Sequence, residues 1–180
     1  MSSASSLART VFESCSLRGA FVLRSGRTST DYFDKYQLEA RPVLLRAIAE
    51  GMARLLPART AVLAGLEMGG IPVATAIALQ TNLPCVFVRK KAKEYGTCKI
   101  AEGVDVNGLE VAIIEDVVTT GGAILAGVEA LRELGALVDT VICVIDREQG
   151  AAETLRTAGL SLKRLFTASE LRHAATDRRS

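Results

Sequence analysis

From Thr60 onward, two hydrophobic patterns alternate along the chain. Short runs dense in Val, Ile and Leu (TAVLAGL, PCVFV, LEVAII and TVICVI) are interleaved with Ala/Leu-rich segments at helical spacing (GIPVATAIALQT, GAILAGVEALRELG and QGAAETLRTAG). This alternation predicts an α/β domain with a mainly parallel central sheet flanked by helices. The short runs are almost continuously apolar, as strands covered on both faces must be. In the helix that opens at Gly122, the residues Ile124, Val128, Leu131 and Leu134 fall on one face and Gly135 supplies the C-cap. Residues 1–59 read differently. A helix from about Ala4 to Ser14 leads into a turn-rich piece with two strand-like runs, and Pro42 opens a helix through about Leu56. The piece from about 15 to 40 is too small to own a core and reads as a cap on the sheet. The chain from about 175 to 180 reads as a frayed tail.

Composition narrows the class. The 180 residues carry 22 Lys+Arg against 20 Asp+Glu and are 49% hydrophobic, which describes one ordinary domain across residues 1–180. A chain this long buries about 70% of its unfolded surface and needs neither disulfides nor a structural metal. Disordered, collagen-like and disulfide-scaffold classes are excluded. The four cysteines form no C-x-x-C pair and the single histidine, His173, lies near the tail with no assigned role, so no built-in metal site is expected. Scattered thiols suit a reducing compartment, with Cys85 and Cys143 as small apolar residues in strands. The N-terminus has no continuous apolar segment, and IPVATAIAL is about half a membrane span. The expectation is a soluble cytoplasmic protein that does not bind membranes.

The strongest chemical signal is LEVAIIEDVVTTGGAIL, residues 109–125: an apolar strand ending in Glu115-Asp116, a Thr/Gly loop, then an amphipathic helix. The loop Thr119–Gly122 offers hydroxyls, backbone N–H groups and a helix N-terminus to a phosphate. The two acids would repel that phosphate, but carboxylates suit vicinal hydroxyls. Taken singly, the acids read as a strand end and the glycines as a turn; together they describe a ribose-5-phosphate site. A second signal is RKKAKEYGTCKIAEG, residues 89–103. Residues 89–99 hold five basic groups and one acid, a local charge of 5 − 1 = +4. So many cations in an irregular segment predict a mobile loop that closes over a polyphosphate. Aromatics make up only 4% of the chain, and Tyr95 is the one aromatic interleaved with these charges, so nucleic-acid binding is poorly supported.

The pattern of strand, two acids, two apolar residues and Thr/Gly loop resembles the phosphoribosyl pyrophosphate motif of type I phosphoribosyltransferases. RKKAKEYGT…EG resembles the catalytic loop of the orotate phosphoribosyltransferases, and three more stretches agree in order: SGRTSTDYFD (25–34), AGLEMGGIPVA (64–74) and DREQG (146–150). The resemblance spans about Gly19 to Ser169. It implies the type I phosphoribosyltransferase fold with a small N-terminal hood. It also implies transfer of a ribose 5-phosphate to orotate, giving orotidine 5′-monophosphate and pyrophosphate.

By the same resemblance, Glu115 and Asp116 hold the ribose hydroxyls, with Asp116 also counted as catalytic. The loop through Val117, Val118, Thr119, Thr120, Gly121, Gly122 and Ala123 holds the 5′-phosphate. Arg89, Lys90 and Lys93 contact pyrophosphate, Lys93 nearest the reacting centre, with Tyr95 beside them where many bacterial members have histidine. Glu67, Gly69 and Gly70 belong to the pyrophosphate loop, and Gly69 stands where many relatives have lysine. Orotate falls to Arg24, Tyr32, Phe33, Thr119 and Arg147; a planar guanidinium suits its carboxylate. The implied cofactor is Mg²⁺, held mainly by ligand oxygens without a set of protein ligands. The implied assembly is a homodimer whose loop acts in the partner's site. Two alternatives stay open: transfer to another nucleobase, or a regulator that senses phosphoribosyl pyrophosphate.

Overall fold

A computed structural model describes residues 3–22, 26, 28–91 and 99–176. The chain forms α1 (Ser3–Cys15), β1 (Ser16–Val22), β2 (Thr28–Phe33), α2 (Tyr36–Glu39), α3 (Pro42–Ala53), β3 (Val62–Leu66), α4 (Gly70–Thr81), β4 (Cys85–Val88), β5 (Ala101–Gly103), β6 (Glu110–Val118), α5 (Gly122–Glu133), β7 (Leu137–Asp146), α6 (Ala151–Thr157), β8 (Ser161–Thr167) and α7 (Ala168–Thr176). The main sheet has the order β5-β4-β3-β6-β7-β8, parallel except for β5 at the edge.

Alternation along the strands builds a core on each face. Ala64, Ile113, Val141 and Cys143 pack on one side with Ile124, Val128 and Leu131 of α5 and Leu155 of α6. Leu63, Ile114, Ile142 and Val144 pack on the other with residues of α1, α3, α4 and α7. Both faces are covered, which is why these strands are nearly unbroken apolar runs. The α/β reading holds, and so does the parallel sheet.

Strand order fixes where a ligand can sit. From β3 the chain continues through α4 to β4 on one flank, and from β6 through α5 to β7 on the other. The loops leaving β3 and β6 therefore diverge, opening a crevice at their carboxyl ends, the switch point at which open α/β sheets bind ligands.

The N-terminal piece is an antiparallel hairpin of β1 and β2 with a register irregularity between Arg18 and Phe21. The Asp34 N–H donates to the Cys15 carbonyl (2.8 Å) and closes its base. The Asp34 carboxylate then starts α2, accepting from the Tyr36 N–H (3.1 Å) and the Gln37 amide (2.9 Å).

Four expectations need correction. The helix opened by Pro42 ends at Ala53, and the Leu55 and Leu56 N–H groups turn back on Met52 and Ala53; Pro57 disfavours helical backbone at the residue before it. Leu134 is not on the buried face of α5 but is its 44% exposed C-cap, because the Gly135 and Ala136 N–H groups close a Schellman turn on Arg132 and Leu131. The basic segment 89–103 is not loop throughout: the Arg89 N–H donates to the Ile100 carbonyl (2.9 Å), and β5 pairs antiparallel with β4. Ala175 and Thr176 are helical rather than frayed, part of α7. No helix among the described residues is long and apolar enough to cross a membrane.

Candidate active site

The crevice holds a cavity of about 540 Å³. One wall is the Thr/Gly loop. β6 runs straight into it because Val117 and Val118 remain paired with Ile145 and Asp146 of β7. The loop then needs a left-handed residue before α5, and Gly121 supplies it at φ 87°. No side chain caps α5, so its first N–H groups are left to face whatever occupies the loop. Residues 117–123 all line this cavity, as do Glu67, Arg89, Lys90 and Glu115. The sequence-predicted sugar-phosphate residues that are described are thus largely brought together.

Two departures are informative. Gly69 and Gly70 are buried behind the wall rather than on it. A Cβ on Gly69 would land on the Asp116 Oδ2 atom, and one on Gly70 would collide with the Ile114 carbonyl. Their lack of side chains lets α4 start hard against β6.

Asp116 is also absent from the wall. Pleating turns Glu115 toward the cavity and Asp116 to the opposite face, where it is 0% exposed. The two acids expected to act together therefore do not face the cavity together: Glu115 lines it and Asp116 lies beneath it.

Asp116 lies in an unusual cluster. Its Oδ1 accepts from the Val117 N–H (2.6 Å), and its Oδ2 forms an ion pair with the Lys35 ammonium at 2.7 Å. Burial alone would raise the Asp116 pKa, but hydrogen bonds from Glu115 and Lys35 outweigh it and hold the group below its usual range. Glu115 moves the other way, pushed to about 9 by burial and by its contact with the Asp116 carboxylate. Glu39 of α2 rises to about 8 for the same two reasons. Lys35 is driven up despite burial, because Asp116 stabilises its ammonium. The cluster thus sets one strongly acidic carboxyl, paired with one ammonium, among two carboxyls whose pKa values are raised.

A second cavity of about 650 Å³ lies beside the first, lined by Phe12, Arg18, Tyr32, Phe33, Arg147 and Leu171, among others. It gathers three of the sequence-predicted base contacts: Tyr32, Phe33 and Arg147. Tyr32 stacks on Phe21 across the hairpin at 5.3 Å between centroids. Asp146 and Glu148 fix the chain on either side of Arg147, the Asp146 carboxylate accepting from the Glu148 N–H (2.8 Å) and Glu148 accepting from Ser169. Thr119 lies on the first cavity instead. Arg24, Lys93 and Tyr95 lie outside the described residues. One residue of each wall is joined to the other by backbone, the Arg147 N–H donating to the Val118 carbonyl at 2.9 Å.

Sequence reasoning missed Lys35, Tyr36 and Met68 on the first cavity, and the α1 and α7 walls of the second. Lys35, a lone cation following the acidic DYFD, offered a signal; the α1 and α7 residues look like ordinary core positions.

A backbone cradle for phosphate, paired acids at a strand end and an adjoining aromatic-lined cavity define a protein that joins a sugar phosphate to a planar ring. Residues 36–161 match the family described as phosphoribosyl transferase domain. An orotate phosphoribosyltransferase of Nocardioides sp. is 52% identical over 157 residues, covering 87% of this chain and 88% of that protein. One of Pyrococcus horikoshii is 43% identical, covering 91% and 89%. The crystal structure of the Mycobacterium tuberculosis H37Rv orotate phosphoribosyltransferase in complex with 5-phospho-alpha-D-ribosyl 1-diphosphate superposes with a TM-score of 0.81 at 30% identity, covering 94% of this chain and 98% of that one. The chain belongs to the phosphoribosyltransferase family and, within it, to the orotate phosphoribosyltransferases.

Proposed function

We infer that the protein transfers ribose 5-phosphate from phosphoribosyl pyrophosphate to orotate, in pyrimidine nucleotide synthesis. The observation that carries this reading is the backbone link between the walls of the two cavities. Val118, on the sugar-phosphate wall, and Arg147, on the base wall, are joined by one backbone hydrogen bond. A sensor of the sugar phosphate needs only the first cavity; a transferase needs both, side by side.

In this reading Thr119–Gly122 and the α5 N-terminus hold the 5′-phosphate, Glu115 accepts from the ribose, and Arg147 takes the orotate carboxylate between Tyr32 and Phe33. The anomeric C–O bond to pyrophosphate breaks as the bond to the orotate ring nitrogen forms. Positive charge grows on the sugar and negative charge on the leaving group, so positioning and electrostatics supply the rate. Arg89, Lys90 and Lys93 neutralise the pyrophosphate. Asp116 acts from beneath by fixing Glu115.

Mg²⁺ neutralises charge on the diphosphate when bound. The described residues contain no cluster of three or more His, Cys, Asp and Glu side chains able to hold a metal ion. Glu115 on the cavity wall offers one carboxyl near the sugar, and an ion carried mainly on ligand oxygens and water, as Mg²⁺ favours, would need no larger protein set. The protein is read as a cytoplasmic homodimer in which residues 89–99 of one subunit serve the other's site.

Loss of orotate absorbance that requires protein, phosphoribosyl pyrophosphate and Mg²⁺ together is the expected result. Folded protein that binds the sugar phosphate yet leaves orotate unchanged would sink the reading. Lys93→Ala should lower kcat at least 100-fold while orotate binding changes little, because its partner charge develops during the reaction. Mixing Lys93→Ala and Arg147→Ala chains should restore partial activity; none in verified heterodimers would argue against a loop acting between subunits.

A further inference from the structure

We propose that Lys35 contacts the diphosphate end of the bound sugar phosphate, delivering from the hood the positive charge that the loop 67–70 lacks. The inference rests on the sugar-phosphate reading of the first cavity. Loop 67–70 reads Glu-Met-Gly-Gly and contains no cation; its one charged side chain, Glu67, is engaged by the Lys90 N–H (2.9 Å). A side chain at position 69 would begin at the Asp116 Oδ2 atom. The Lys35 ammonium lies 2.7 Å from that same oxygen. The lysine therefore places its charge beside the spot from which a residue-69 side chain would start.

Lys35 also lines the cavity, where Arg89 and Lys90 are the other cations among the described lining residues. Its side chain is 35% exposed, so part of it faces the cavity while Asp116 is fully buried. An ammonium has three donors. Asp116 engages the ammonium and leaves donor capacity for an oxygen in the cavity. The raised pKa of Lys35 keeps it charged across the working range.

The obvious variant, Lys35→Met, leaves Asp116 buried without its cation and so carries a folding cost of its own, which is why the comparison is made in two backgrounds. Calorimetric titration with inorganic pyrophosphate and with ribose 5-phosphate compares wild type with Lys35→Met, and Asp116→Asn with Lys35→Met/Asp116→Asn. In the second pair no buried carboxylate is orphaned. Removing Lys35 should raise the pyrophosphate Kd about tenfold or more, the cost of one hydrogen bond to a charged group, and change the ribose 5-phosphate Kd by less than about threefold. Lys35→Arg should recover most of the pyrophosphate affinity. Unchanged pyrophosphate affinity in the Asp116→Asn background, or equal losses for both ligands, would overturn the proposal and leave Lys35 a purely structural partner of Asp116. Orotate turnover by wild type separates the two readings: turnover without a Lys35 effect overturns this inference alone, whereas no turnover and no pyrophosphate binding overturns both.

Discussion

The two cavities have walls linked at the ends of β6 and β7, and they are built in opposite ways. The sugar-phosphate side is made largely of backbone: a contiguous loop, 117–123, closed by a left-handed glycine and seated on a helix N-terminus. Beneath it lie carboxyl groups whose pKa values are displaced by burial and by their contacts with one another and with Lys35. The base side is made of side chains from α1, β1, β2, the 147 turn and α7, segments far apart in sequence. A phosphate can be held by any backbone that presents N–H groups, so its site is compact in sequence. A flat ring must be recognised by shape and by one planar cation, so its site is assembled by the fold.

The largest effect that could break this contrast is at Arg147. Arg147→Ala should raise the orotate KM about 100-fold, the loss expected for a hydrogen-bonded charged pair. The Kd for phosphoribosyl pyrophosphate should move less than about twofold. Steady-state kinetics with calorimetry of the sugar phosphate alone would check both. Equal losses on both substrates would mean that the cavities are energetically one site.

A smaller effect tests the sugar side. Gly69→Ala puts a Cβ where Asp116 Oδ2 now sits, and that carboxylate is held by Lys35 and by the Val117 N–H. Overpacking of this kind costs about 1–3 kcal/mol, which lowers the Tm by several degrees in a chain of this size. Pyrophosphate affinity should fall about tenfold as the Lys35–Asp116 pair is displaced, with little change in the response of KM to orotate analogues. Wild-type affinity and Tm would show that Asp116 can move freely and that the cluster is not a rigid floor.

These tests bear on what the sequence could reveal. The strand and helix pattern after Thr60 was legible because both faces of the sheet are covered and each helix shows one apolar face. The Glu115–Gly122 segment was legible because its chemistry is local. Lys35 was not, since nothing in DYFDKY says that the turn into α2 folds this lysine back under β6. Nor was the burial of Asp116 read from Glu115-Asp116, although strand alternation puts neighbouring residues on opposite faces. The edge strand β5 was hidden inside a run of charge, where the basic residues suggested loop and only pairing with β4 made strand. Phe12 and Leu171 carry no signal beyond helical periodicity; only the packing of α1 against α7 brings them to the base cavity.

The smallest predicted effect distinguishes the two sides by pH. In the folded chain Glu39 and Glu115 keep their protons up to about 8 and about 9, whereas in the unfolded chain they release them near the ordinary glutamate value of 4.5. The folded state therefore binds more protons between those limits, and the stability these groups confer falls as pH rises through that window. Asp116 has the opposite sign: its lowered pKa makes its contribution disappear only on acidification below its unfolded value of 3.8. Wild-type Tm should accordingly drop between pH 6 and 9. Glu39→Gln removes the titrating carboxyl at that place, so its Tm should fall less over the same range, by a difference of a few degrees. Arg147→Ala, outside the cluster, should keep the wild-type slope. Thermal melts at fixed ionic strength decide it: a Glu39→Gln slope equal to wild type would remove Glu39 from the proton-sharing group, and a flattened slope in Arg147→Ala would show that the base side shares the same charge network.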